Sequence, residues 1–181
     1  MPRYIALFGS INVGGNRLTM ADLRWAFERE GFGAVETVVA SGNVLFSFDD
    51  RPTEGLEELF AHMMAERFDI ASHVAVRSGA ELAALLAADP FADGDEAQVH
   101  AMLLSGQPDP AALAKLVADH ASRGPERIAA GDRALYIDFV DGVGQSRLSN
   151  AFIERRLGLH GTARNRRSLQ RILAKLAEAT T

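Results

Sequence analysis

YIALFGSINVGGNRLTMADLRWAFEREGFGAVETVVASGNVLFSF, residues 4–48, changes its hydrophobic period twice. Residues 4–8 are an unbroken apolar run, the length and composition of a buried strand. A glycine-rich loop follows. Thr19 then stands three residues ahead of Asp22, the spacing of a capping box, and Met20, Leu23 and Phe27 recur at helical intervals until Gly31 ends the stripe. Residues 35–39 and 44–48 return to β-type composition around Ala40-Ser41-Gly42-Asn43, which reads as a hairpin.

The rest of the unit lies just downstream. Pro52 and Thr53 begin a second helix with Leu56, Leu59, Phe60 and Met63 on one face. Residues 73–76 read as a fourth strand. Ser78 and Glu81 are again spaced as a capping box, ahead of a short helix carrying Leu82, Leu85 and Leu86. The order βαββαβ is the split βαβ arrangement of ferredoxin-like domains. It then recurs: a strand at 99–104, a helix from Pro108-Asp109-Pro110, strands at 127–129 and 134–139 around a Gly131-Asp132 turn, a helix capped by Ser149, a short strand at 161–163, and a final helix with Leu169, Ile172, Leu173 and Leu176. The expected fold is α+β, a tandem pair of ferredoxin-like (βαββαβ-type) halves with additional helices. The N-terminal half is residues 1–92; the C-terminal half, with its extra helix, is residues 93–181. The polar stretch 89–96, with its Pro and Gly, is the expected linker.

Bulk composition agrees with a folded interior. The 181 residues are 48% hydrophobic and 24% charged, with mean hydropathy −0.01. No window approaches the roughly 18 apolar residues that span a bilayer, and the N-terminal apolar run is too short for a signal peptide. The expectation is a cytoplasmic protein with no membrane association. With no cysteine, disulfides, thiolate nucleophiles and cysteine-ligated metal sites are excluded. Charge is uneven: from residue 147 onward eight basic residues face two acidic ones, a net of +6, which leaves −11 on residues 1–146 and −5 overall. A basic end on an acidic body fits an anionic partner, and equally fits attraction within the chain.

Four stretches carry a family resemblance. They are Tyr4-Ile5-Ala6-Leu7 with Ile11-Asn12-Val13-Gly14-Gly15 and, beyond it, Met20 and Leu23-Arg24; Ser41-Gly42-Asn43-Val44-Leu45-Phe46; Asp141-Gly142-Val143-Gly144-Gln145-Ser146-Arg147-Leu148; and Gly161-Thr162-Ala163-Arg164-Asn165. Together they resemble DUF1697, a family of uncharacterised bacterial proteins, from the first strand to the last helix. The resemblance implies the α+β fold and no particular activity. Two departures stand out. Phe8, Gly9 and Ser10 occupy positions where the family usually has Leu-Arg-Gly, and Arg166 stands where its Arg-Asn is usually followed by Trp.

Several stretches invite a chemical reading. In the loop from Ile11 to Arg17, the amides of Gly14 and Gly15 ahead of a helix suit an anion, with Asn12 and Arg17 beside them; the alternative is a loop that needs positive φ, its Asn side chains bonding the local backbone. There is no Gly-Lys-Ser/Thr, so it is not a P-loop. Arg164, Arg166 and Arg167 form the densest cationic cluster. Arg167, Arg171 and Lys175 recur opposite the apolar stripe of the last helix, as a solvated face does, which leaves Arg164 and Asn165 as candidates. Gly142-Val143-Gly144 lacks the third glycine of a dinucleotide fingerprint, but Ser146 and Arg147 remain near a helix start. Ser41 has no Gly-x-Ser-x-Gly elbow. The five histidines have no metal-ligand spacing, and His120 continues an apolar stripe. Trp25 lies off its helix's main stripe, as a contact residue or a second packing surface.

The resulting expectation is a two-lobed protein that binds a small anionic ligand, phosphate- or carboxylate-bearing, through Asn12, Gly14, Gly15, Arg17, Ser146, Arg147, Arg164 and Asn165, without a metal or cofactor. The alternatives are a protein-partner or nucleic-acid binding module using the basic C-terminal segment, and an enzyme acting on a phosphorylated small molecule. Nucleic acid is the less favoured partner, because the strand aromatics are few and the pI is about 5.5. No general base is identifiable, so enzymatic activity is left open, as is the oligomeric state.

Overall fold

The fold is that of a computed structural model, which describes residues 1–9, 18–39 and 42–178. Among these residues there are eight strands in two four-stranded antiparallel sheets, and six α-helices. The chain is mixed α+β, as its periodicities require.

The first sheet is made by β1 (Arg3–Phe8), β2 (Gly33–Thr37), β3 (Asn43–Ser47) and β4 (Val74–Ser78), in the order β2-β3-β1-β4. Helix α1 (Met20–Arg29) connects β1 to β2, and α2 (Thr53–Phe68) connects β3 to β4. The α1 capping box forms: Thr19 Oγ1 accepts from the Asp22 N–H at 3.1 Å, and the Asp22 carboxylate accepts from the Thr19 N–H at 3.3 Å. Beyond the helix Gly31 takes φ +88°, and the Phe32 N–H reaches back to the Phe27 carbonyl, the Schellman closure that a Cβ at residue 31 would strain. Alternation along the strands turns Tyr4, Ala6, Phe8, Val44, Phe46, Val74 and Val76 toward one core. There they meet Leu23 and Phe27 of α1 and Leu56, Phe60 and Met64 of α2. Phe27 and Phe60 stack at 4.5 Å, with Phe46 edge-on to both and Phe32 tilted against them.

The second sheet repeats the order as β6-β7-β5-β8, from β5 (Val99–Leu104), β6 (Arg127–Gly131), β7 (Ala134–Asp138) and β8 (Gly161–Asn165). Helix α4 (Pro110–His120) follows β5, capped by Asp109 on the Ala112 N–H at 3.1 Å, and α5 (Asn150–Leu157) follows β7, capped by Ser149 on the Phe152 N–H at 3.1 Å. Met102, Leu104, Leu135 and Ile137 of the strands, with Phe139 just past β7, pack with Leu116, Ile153 and Leu157 of these helices. Helix α3 (Gly79–Ala87) follows β4, and α6 (Arg166–Glu178) follows β8.

By packing, the chain divides into two compact units, Met1–Ala83 with Gln170–Thr181, and Ala84–Leu169. The element repeat, split at 92/93, and the packing division therefore differ: α3 and α6 each contain a unit boundary. The stretch 89–96 lies inside the second unit, where hydrogen bonds hold it. Arg166 donates to the Asp89 carboxylate at 2.8 Å and to the carbonyls of Phe91 and Gly94 at 2.9 and 2.5 Å, while Asp95 accepts from the Ala97 N–H at 2.8 Å. Periodicity also misplaced edges by a residue or two. The first hairpin pairs Gly33–Thr37 with Asn43–Ser47, one or two residues earlier than expected. The second turns at Asp132-Arg133, with Arg133 at φ +47°, while Gly131 remains paired with Ala134.

Candidate functional site

Asn12, Gly14, Gly15 and Arg17 lie outside the described residues. The other four expected site residues are in the second unit, each in a defined place. Ser146 ends a single 3₁₀ turn, Val143–Gln145. Its hydroxyl donates to Glu126 Oε1 at 2.5 Å and accepts from the Leu148 N–H at 3.0 Å. The other oxygen of Glu126 meets His120 Nε2 at 2.8 Å, with the two side chains only 4% and 2% exposed. Burial works against the Glu126 charge, but hydrogen bonds from Ser146, its own backbone and His120, with the charge of His120 added, hold the carboxyl below its ordinary value. The acid stands between serine and histidine, so the histidine is not placed to take the serine proton. Arg147 beside it is exposed, and its carbonyl accepts from Arg123 at 3.2 Å.

Asn165 caps α6, its Oδ1 accepting the Ser168 N–H at 2.8 Å. Arg164 is half-buried on β8, where it donates to the Ala163 carbonyl at 2.9 Å, and burial lowers its guanidinium from the ordinary value. Ser146 and Arg164 are not brought together. Ser146 is tied to Glu126, which leads into β6 at one edge of the sheet, and Arg164 is on β8 at the other. Three strand spacings, roughly 14 Å, separate those edges. Arg166, at the position of the family's usual Trp, is the clasp of the 89–94 segment, and Arg167 pairs with Glu96 at 3.0 Å.

A concave, polar place forms instead in the first unit, for a topological reason. Both β3 and β4 run antiparallel to β1, so their C-terminal ends emerge on either side of the β1 start. Helix α3 begins right after β4, and α2 begins after the five residues that follow β3. The result is a groove of about 440 Å³ at that end of the sheet, walled by Tyr4, Asp50, Arg51, Thr53, Ser78 and Glu81. The Tyr4 hydroxyl donates to the Asp49 carbonyl at 3.0 Å and accepts the Arg51 N–H at 3.3 Å, which fixes the turn. The Arg51 guanidinium lies 4.5 Å from the centre of the Phe48 ring and 3.7 Å from Asp49, with its side chain 44% exposed. Across the groove Glu81 caps α3 by accepting the Ser78 N–H at 2.8 Å, and it accepts the Thr53 hydroxyl at 3.1 Å, joining the starts of α2 and α3. The groove therefore presents one cation, packed on an aromatic ring, together with two carboxylates, Asp50 and Glu81.

Sequence reasoning passed over this place. Pro52-Thr53 reads as a helix start, which describes the local backbone correctly and says nothing of a neighbour. The available signal was topological: in a βαββαβ unit the ends of the third and fourth strands fall at one end of the sheet, so the residues following each are neighbours. Elsewhere in the same unit Trp25 is 50% exposed, with Arg29 and Arg67 at 5.2 and 5.6 Å from its ring. No group of three or more His, Asp or Glu that could hold a metal ion occurs among the described residues, and none of their helices is long and apolar enough to cross a membrane.

Comparisons with known proteins agree with the architecture. Among solved structures, a conserved bacterial protein, SP0830 from Streptococcus pneumoniae, is similar over 98% of this chain and 99% of its own, with a TM-score of 0.72 and 22% identity. At that identity the likeness speaks for the fold alone. A search of curated proteins finds no match. The sequence profile of the family described as "Protein of unknown function (DUF1697)" matches residues 1–136, which include β1 to β4, the groove at their end, and the second sheet as far as Tyr136. The chain belongs to the DUF1697 family.

Proposed function

We propose that this is a cytoplasmic binding protein, built of two ferredoxin-like halves, that takes a small carboxylate- or phosphate-bearing ligand in the groove at the end of the first sheet, with Arg51 as its charge partner. The observation that carries this reading is the groove itself. Its volume is that of a small-ligand site, and its polar groups converge from three element ends held by hydrogen bonds. Binding rather than catalysis is favoured by the state of its hydroxyls. Tyr4 and Thr53 each donate to a carbonyl or carboxylate, Ser78 Oγ accepts the Glu81 N–H at 3.1 Å, and no histidine lines the groove. The ferredoxin-like description rests on the strand orders β4-β1-β3-β2 and β8-β5-β7-β6, each with helices after its first and third strands.

The test is a thermal-shift screen of carboxylates, phosphates and nucleotides at two salt concentrations, on the wild type, Arg51→Gln and Arg147→Ala. A ligand at a hundred times its Kd adds about 2.7 kcal/mol of stability. The shift is expected in the wild type, to be lost in Arg51→Gln, and to persist in Arg147→Ala, whose side chain is exposed in the other unit. Absence of a shift with every ligand would leave the partner-binding reading, which the half-exposed Trp25 between Arg29 and Arg67 favours.

A further inference from the structure

We propose, resting on the groove reading above, that the ligand is an α-amino acid with an apolar side chain. Two features of the first unit lead there. The first is the sign of the charges. A simple anion drawn to Arg51 also meets Asp50 and Glu81, which line the same groove, and their repulsion opposes its binding. A zwitterion reverses that penalty: its carboxylate faces Arg51 and its ammonium faces the two acids. Glu81 needs no release from Thr53 or Ser78 for this, because its negative charge acts on the ammonium while it keeps those bonds.

The second feature is a neighbouring apolar groove, also of about 440 Å³, that shares Pro2 and Ser78 as walls with the polar one. Ala80, Leu173, Leu176 and Ala177 line it, beside Gly79 at the start of α3. A Cβ built on Gly79 meets nothing within 4 Å, so the space above that residue is open. Arg3 and Tyr4 point to opposite faces of β1, and the two grooves accordingly meet over the end of the sheet rather than on one face. A molecule with its charged head by Arg51 and a short hydrocarbon branch crossing Pro2 and Ser78 fits both. An α-amino acid carries the two charges on one carbon and the side chain on the same carbon, which is the arrangement required. Leucine is a suitable probe; its analogues remove one feature each.

Isothermal titration of the full chain with L-leucine, glycine, 4-methylpentanoate and 3-methylbutylamine tests this. Leucine is expected to bind at least tenfold tighter than each of the other three. Asp50→Asn is expected to weaken leucine and to tighten 4-methylpentanoate by relieving its repulsion, and Gly79→Phe, which fills the apolar groove, to bring leucine to the level of glycine. Thermal melts of the unliganded variants check that each is folded. If 4-methylpentanoate binds as tightly as leucine with Arg51 dependence, the amino-acid inference is overturned while the carboxylate reading survives. Equal binding of glycine and leucine overturns the apolar-side-chain part in the same way. If none of the three carboxylates binds, the amino-acid inference falls and the groove reading stands or falls with the phosphates of the thermal-shift screen; if binding ignores Arg51→Gln, both readings fall.

Discussion

Arg166 holds the Asp89 carboxylate and two backbone carbonyls, with its side chain 12% exposed and that of Asp89 6%. Methionine keeps the stem but removes all three hydrogen bonds and leaves Asp89 buried beside it. Arg166→Met should therefore lose about 3 kcal/mol of stability, read as a lower urea midpoint. Tyr136 makes a smaller, cleaner case. Its hydroxyl donates to the Leu85 carbonyl at 2.6 Å, and burial, with the negative charges of Asp89 and Asp132, pushes the phenol up to about 12. Tyr136→Phe should cost about 1 kcal/mol at neutral pH. A folded value above the unfolded 10.0 gives stability that is complete below pH 10 and lost as pH rises from there toward 12. Melting curves between pH 8 and 11 should thus fall more steeply for the wild type than for the phenylalanine variant.

At the scale of elements, single side chains decide how neighbours are joined. From its place just ahead of β6, Glu126 ties α4, through His120, to the turn ending at Ser146. Its carboxyl is held below 4.5, so the stability it supplies is complete above that pH and lost as pH falls through the folded value. The midpoint of thermal unfolding should decline from pH 5 to 3 in the wild type, and Glu126→Gln should flatten that limb from a lower starting value. Thr19→Ala should cost about 1 kcal/mol by opening the α1 box, measured by urea unfolding. Such caps were legible because they are local: Thr19 with Asp22, Ser78 with Glu81 and Ser149 all act within one turn. The bond from Thr53 to Glu81 was not legible, because 28 residues and a strand separate two side chains that meet only when β3 and β4 flank β1.

For the whole molecule, the last turns of α6 belong with the N-terminal unit, although they follow β8 in sequence. Ile172 and Leu176 are buried there. Removing residues 170–181 should lower the unfolding midpoint reported by the fluorescence of Trp25, which lies in that unit; an unchanged midpoint would contradict the division. The sequence by itself determined the elements, their order and the repeat of that order. Hydrophobic period, caps and turn residues are properties of short segments, and a segment folds much the same way wherever it lies. It also excluded thiol chemistry, since no cysteine is present. The tertiary structure alone decided which isolated polar residues become neighbours. It gave Ser146 and Asn165 structural partners, turned Arg166 into a clasp, and brought Glu81 into one groove with Asp50 and Arg51 at the end of a sheet. Those contacts depend on strand pairing between residues far apart in the chain, and pairing carries no mark in the local pattern of either strand.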